Sequence, residues 1–450
     1  MGLPRTAAVS LLATMAALAS GCGPSRPAGG NPGSSGGAPG TGGDSSATGT
    51  GGTSVSTGGT PPAGSGGTSP TGGTTGGSGG SPGTGGVVST GGAAAGGAAG
   101  GPPGSGGVRA SGGTTGAAGM PGTGGGAPAG GSSGALHACD IYQAANTPCV
   151  AAHSTVRALY GAYTGALYQV TRASDHTTKN VPVGAGGFVD ISVQDSFCSG
   201  TTCTISIIYD QSPNHNDLVK SPKALWLPSG GNEASAADGK IMISGHVAHG
   251  VYVNNPTQNV GYRNNATKGL AKGDAAEAMY MVVDGTRYST ICCFDYGNVE
   301  TSGVDDGNAT MEALYWGAST QWTRGGGNGP WMAADLENGM FEGSSSNVAS
   351  NTSITGWAYV TGMLKGPSGN SFALKAGNAQ SGALQTKWNG ARPPGYSPMK
   401  KEGAIVLGTG GDGSNYGQGT FFEGAITSGN PPDSTDDAVQ ADIINAGYGK

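Results

Sequence analysis

Two acids two residues apart, Asp335 and Glu337, close the segment GPWMAADLENG at residues 329–339. The run ahead of them, WMAA, is apolar and reads as a strand. On a strand, side chains at i and i+2 share a face. Both carboxylates are therefore expected to project together, with Trp331 and Ala333 beside them. A carboxylate pair can act as nucleophile, acid or base at a glycosidic bond. Taken alone, an Asp-x-Glu can equally be two solvated acids on an exposed strand face. Its companions in the chain add weight. Adjacent Cys292 and Cys293 stand upstream in ICCFDYGN, and Asp412 stands downstream in LGTGGDGSN. Gly410, Gly411 and Gly413 around that aspartate would let the backbone approach a ligand closely.

The elements that must position these groups are short and β-rich. Segments of β-branched and aromatic residues, punctuated by Gly, Asn, Asp and Pro, occupy 166–171, 204–210, 241–244, 250–253, 278–284, 313–317, 331–336, 357–365, 371–375, 403–408 and 420–426. About a dozen strands at this spacing predict a two-sheet sandwich. Helical periodicity is scarce. One short helix is predicted over 154–162, capped by Ser154 or Thr155. A second is predicted over 435–446, capped by Ser434 or Thr435, with Val439, Ile443 and Ile444 on one face. The stretch YDQSPNHND resembles a turn of concanavalin-like sandwiches, and GAIVLGTGGDGSNYGQGTFFEGAITSG resembles their last two strands. Ordinary polar turns would also account for both.

Ahead of this domain the chain changes character. Residues 1–22 carry Arg5, then a mostly apolar run, then LASGC ending at Cys22. This resembles a bacterial lipoprotein signal in which Cys22 is lipidated, although Leu18 sits one place earlier than the usual pattern. Ordinary secretion with cleavage nearby is the alternative. The apolar run is too short to span a bilayer. Residues 23–134 hold 46 of the 92 glycines, no aromatic residue and only Arg26, Asp44 and Arg109 as charges. Such a segment cannot bury enough apolar surface to offset its ordering entropy. It is expected to be a disordered Gly/Ser/Thr/Pro tether with an r.m.s. reach of roughly 60 Å.

The remaining residues, 135–450, suffice for one large domain. Setting aside Arg5, Arg26, Arg109 and Asp44 from the chain totals of 21 and 27 leaves 18 Lys and Arg against 26 Asp and Glu, a balance of −8. With no basic run, a nucleic-acid surface is excluded. Besides Cys22 there are six cysteines, an even number that suits an exported, disulfide-bonded chain. Proximity pairs them as Cys139–Cys149, Cys198–Cys203 and Cys292–Cys293. No C-x-x-C or H-x-x-x-H spacing exists and the six histidines are scattered, so no metal site is expected.

Taken together, CDIYQAANTPCVAAHSTVRALY, IIYDQS, GYRNN, CCFDYGN, GPWMAADLEN and KEGAIVLGTGGD resemble the catalytic domain of the glycoside hydrolase family 54 α-L-arabinofuranosidases, from about Cys139 to Tyr448. The resemblance implies an all-β, concanavalin-like sandwich with short peripheral helices. It implies a retaining, exo-acting enzyme that needs no cofactor and trims arabinofuranose from arabinoxylan or arabinan. It places the nucleophile at Glu337 and the general acid/base at Asp412. Asp335, Asn338, Trp322 and Gly411 would contact the sugar, and Cys292 and Cys293 would form a vicinal disulfide on the pocket wall. Two reduced, buried thiols are the alternative to that bond. Family members often carry Asn where this chain has Gly339, so one polar contact is expected to be missing. A C-terminal arabinose-binding module is also expected to be absent, with the tether and anchor at Cys22 serving as the localising device and the domain acting as a monomer. A non-catalytic, lectin-like sugar-binding protein is the competing reading, which presence of both acids disfavours.

Overall fold

The computed structural model of the protein describes residues 136–450 apart from 256 and 323. The expected signal, the tether and Cys22 lie outside the described residues. Among those described, two antiparallel sheets account for most of the chain. The first runs Cys149–Ser154, Gln418–Ser428, Glu277–Asp284, Tyr359–Gly366, Phe372–Asn378 and Gln385–Gly390, with Val251–Asn254 also paired to Gln418–Ser428. The second runs Met340–Phe341, Trp331–Asp335, Glu312–Gly317, Asp295–Val299, Ala404–Leu407, Tyr262–Asn264, Leu218–Lys220, Cys203–Ile208, Ala166–Arg172 and Thr178–Pro182. Strands Glu312–Gly317 and Trp331–Asp335 pack across Tyr359–Gly366, so the sheets form the predicted sandwich.

In the second sheet, Asp295–Val299, Glu312–Gly317, Trp331–Asp335 and Ala404–Leu407 are buried on both faces, and the strand period of two sorts their side chains. Tyr296, Leu314, Trp316, Met332 and Ala334 join the main core between the sheets. Tyr315 and Ala333 instead join a small cluster with Cys292, Cys293 and Met340. Val299, Ala313, Ala404 and Val406 form a third. This double burial is why the run WMAA is continuously apolar rather than alternating. Beside these strands the cluster of Tyr315, Ala333, Met340, Cys292 and Cys293 forms an apolar floor on which a pocket is built.

Two expectations about the helices are corrected. The predicted helix over 154–162 does not form. Ser154 ends a strand, and its Oγ accepts the N–H groups of Val156 (3.2 Å) and Arg157 (3.1 Å). Ala158 N–H is drawn to Gly187 O (2.8 Å) and Leu159 N–H to Gln211 Oε1 (2.7 Å), so partners elsewhere in the fold replace the helical ones. The helices found nearby are Ala138–Ala144, stapled through the Cys139–Cys149 disulfide, and Ile191–Phe197. The C-terminal helix is present as Asp433–Asn445, but Pro432 is its cap, and Ser434 and Thr435 lie inside its first turn. Proline suits a helix start because it supplies no N–H to leave unpaired. No helix among the described residues is long and apolar enough to cross a membrane.

Candidate active site

Strand Trp331–Asp335 ends at the first of the two acids, and Glu337 lies beyond it. The i, i+2 strand geometry expected for the pair is therefore replaced by a hairpin. Asp335 pairs with Met340, and Leu336 N–H donates to Gly339 O (3.1 Å). Glu337 (φ 62°) and Asn338 (φ 56°) are the two central residues. A two-residue hairpin of the primed type needs positive φ at both. Asn accepts that region readily, but Glu does so at a cost. A non-glycine residue held there by its surroundings points to a functional demand on its side chain. Glu337 N–H donates to Asp335 Oδ1 (3.2 Å), and Tyr396 OH donates to Asn338 O (3.0 Å). Asn338 Nδ2 donates to Asp305 Oδ1 (3.0 Å). Gly339 gives room to neighbours, since a Cβ there would overlap the Phe341 ring.

Asp412 arrives from the loop after Ala404–Leu407. Its Oδ1 accepts Ser414 N–H (2.8 Å), and the loop closes on itself through Gly410 N–H to Ser414 O (2.8 Å). Arg263, fully buried, donates through Nη1 to Gly411 O (2.6 Å) and through Nη2 to Glu300 O. A Cβ at Gly411 would overlap Glu300 Oε2, so glycine lets these two elements meet. Cys292 and Cys293 are joined by a disulfide, as are Cys139–Cys149 and Cys198–Cys203. Cys293 Sγ lies 3.2 Å from Ser414 Oγ and 3.7 Å from Asp335 Oδ2. Disulfide sulfur is no thiolate, so this group with Asp335 is a wall rather than a metal ligand set.

One open pocket gathers all eight site residues anticipated from the sequence: Cys292, Cys293, Trp322, Asp335, Glu337, Asn338, Gly411 and Asp412. Trp322, half-buried, packs on the Cys292–Cys293 cluster. Other lining residues carried no site role in the sequence reading, among them Trp226, Asp305 and Ser414.

Two further acids stand behind the pocket, Asp295 and Glu300, both fully buried. Asp295 acts electrostatically on Asp335 and Glu300 on Glu337, so each front carboxyl has a carboxyl neighbour. Thr310 Oγ1 fixes Glu300 through Oε1 (2.6 Å). Asp295 lay within the motif CCFDYGN; a charged residue opening a wholly buried strand was the signal that it had a partner. Glu300 follows that strand directly.

Burial dominates the electrostatics. It raises Asp335 to about 8, helped by the charges of Asp412 and Glu300. It raises Glu337 far above the usual carboxylate range, with Glu300, Asp335 and Asp412 adding to it. Burial brings Glu300 to about 7 against the opposing pull of Thr310. Asp295 is likewise raised well above the usual range by burial and by Asp335. Asp412 is raised by burial, against the hydrogen bonds of Ser414. So many carboxyls facing one guanidinium cannot all ionise at neutral pH. Carboxyls this strongly coupled titrate together rather than singly.

The comparisons with known proteins agree with one another. The family described as alpha-L-arabinofuranosidase B, catalytic, matches residues 138–449. The alpha-L-arabinofuranosidase B of Aspergillus oryzae is 54% identical over 318 residues, covering 69% of this chain and 62% of that protein. The arabinofuranosidase/B-xylosidase of Trichoderma koningii is 54% identical over 317 residues, with the same coverage. A crystal structure of an arabinofuranosidase complexed with arabinofuranosyl-alpha-1,2-xylobiose is 48% identical. It aligns with a TM-score of 0.67 over 70% of this chain and 66% of that one. This chain thus spans about three-fifths of the length of the curated relatives it matches.

Proposed function

The chain belongs to the glycoside hydrolase family 54 α-L-arabinofuranosidase catalytic domains, and on that premise we propose that it is a retaining, exo-acting α-L-arabinofuranosidase. Its substrates are terminal L-arabinofuranose side chains of arabinoxylan and arabinan. The observation that carries this reading is the meeting of Glu337, on its hairpin, and Asp412, on its glycine-lined loop, in one pocket. Glu337 attacks the anomeric carbon while Asp412 protonates the departing oxygen. Water, deprotonated by Asp412, then cleaves the glycosyl ester. Asp335, Asn338, Trp322 and Gly411 hold the sugar, and the Cys292–Cys293 wall faces it.

The two roles ask for opposite protonation states. Asp412 must hold a proton, and its burial favours that. Glu337 must be ionised at the moment of attack. The charge of Glu300 opposes that ionisation, so the nucleophile's protonation is governed by its carboxyl neighbour. Export and lipidation at Cys22, the Gly-rich tether over 23–134, and a monomeric catalytic domain over 135–450 complete the reading. A chain beginning at Ser132 should then turn over like the full chain.

The test is hydrolysis of a chromogenic α-L-arabinofuranoside and of arabinoxylan, with the first-formed anomer followed by NMR. Release of arabinose with retained configuration is expected. Binding without turnover would instead favour a lectin-like protein, and an inverted first product would overturn the double displacement.

A further inference from the structure

Nine large apolar side chains are well exposed among the described residues. Five of them, Leu225, Trp226, Ile291, Val304 and Tyr416, belong to segments at the mouth of the pocket. Leu225 and Trp226 line it directly. Ile291 precedes Cys292, and Tyr416 N–H donates to Cys292 O (3.1 Å). Val304 lies between Gly303, whose carbonyl accepts Leu225 N–H (2.9 Å), and the lining residue Asp305. Exposed apolar surface concentrated around one opening marks a binding surface.

Leu225 and Trp226 also sit where turn chemistry does not want them. Ala224 and Leu227 exchange hydrogen bonds of 3.1 and 3.2 Å, so the Leu-Trp pair is the tip of a tight turn. Such tips favour Gly, Asn, Asp and Ser. This tip is docked on the acid/base loop: Trp226 N–H donates to the carbonyl of Asp412 itself (3.1 Å). Gly413, at φ 84°, carries no Cβ that would press on Ala224.

We propose that Trp226, with Leu225, is the platform for the main-chain sugar that bears the arabinofuranosyl branch, and that this sugar is a xylopyranose of xylan. The inference rests on the arabinofuranosidase reading. Asp412 protonates the oxygen linking branch to main chain, so the main-chain ring leaves on the Asp412 side, where the indole is attached. A xylopyranose lacks a hydroxymethyl group and carries its hydroxyls equatorially. Its two faces are thus flat C–H surfaces that suit stacking on a large aromatic ring.

The experiment compares kcat/KM on arabinofuranosyl-xylobiose, on an α-1,5-linked arabinobiose and on methyl α-L-arabinofuranoside, in wild type, Trp226→Ala and Trp226→Phe. In Trp226→Ala the ratio of the xylobiose substrate to the methyl glycoside should fall about tenfold, or about 1.4 kcal/mol, mainly through KM. Trp226→Phe should keep most of that ratio. A purely structural defect would lower both terms and leave the ratio in place. A ratio unmoved in Trp226→Ala overturns the platform alone. An equal loss on arabinobiose overturns the assignment to xylopyranose. A wild-type protein that cleaves none of the three overturns the arabinofuranosidase reading and this one with it.

Discussion

Glu337 occupies a backbone conformation that its residue type resists, in a pocket whose burial resists its charge. Both costs are sensible if the side chain must be aimed and made reactive together. Loss of the nucleophile and loss of the acid should then leave different signatures. Glu337→Ala should reduce turnover on every substrate by at least roughly 10⁴-fold, the order seen when a nucleophile is removed. Asp412→Ala should slow natural glycosides by about 10²–10⁴-fold while sparing the first step on good leaving groups. Azide should restore Asp412→Ala with retained configuration and give inverted product from Glu337→Ala; near-normal activity in either variant on a natural arabinoside would remove that residue from its role. Glu300→Gln addresses the carboxyl neighbour of the nucleophile. The amide takes away the charge that opposes ionisation of Glu337. The acidic limb of the kcat/KM profile should therefore move to lower pH, with the basic limb, set by Asp412, nearly unchanged. A fixed acidic limb would mean that Glu300 does not govern the nucleophile.

At the scale of elements, the site depends on segments that are themselves pinned by buried charge. Arg157 lies where a helix was expected and is instead a tertiary anchor. Its Nε and Nη2 reach Glu423 (2.6 and 2.7 Å), and Nη2 reaches Asp442 (2.8 Å). It thereby ties strand Gln418–Ser428 to helix Asp433–Asn445, with Tyr448 OH also donating to Glu423 (2.8 Å). Removing one partner of such a network leaves uncompensated charge, at a cost of about 3–5 kcal/mol. Arg157→Ala should lower the unfolding free energy by that much, measured by equilibrium denaturant unfolding. A loss below about 1 kcal/mol, the scale of an exposed pair, would show that the network is not what joins these elements.

For the whole molecule, the buried carboxyls set a slope of stability with pH. Asp335 at about 8, and Glu300 and Glu277 at about 7, are raised in the folded state mainly by burial. Between pH 5 and 8 the folded protein holds protons that the unfolded chain has released. Raising pH therefore favours unfolding. Buried His153, lowered by burial, gives an opposing slope, but it is one imidazole against several carboxyls. Calorimetry should show Tm falling from pH 5 to 8, and Asp335→Asn should flatten that fall. A Tm that rises over this range would show that these acids ionise freely in the folded state.

The neighbours of each residue were enough to determine the β-rich class, most strand positions in the list from 166 to 426, and the motif that holds Asp335 and Glu337. Strand propensity, turn residues and close cysteine pairs act over a few positions, so they are written locally. Tertiary structure decided what depends on chain-distant partners. It turned 154–162 away from helix, because Gly187 and Gln211 claim its N–H groups. It lifted Glu337 out of the strand into a primed turn. It backed the two acids with Asp295 and Glu300, and set the Leu225–Trp226 tip against Asp412. Protonation is decided there as well, since desolvation and the field of neighbouring charges exist only once distant segments have closed around the group.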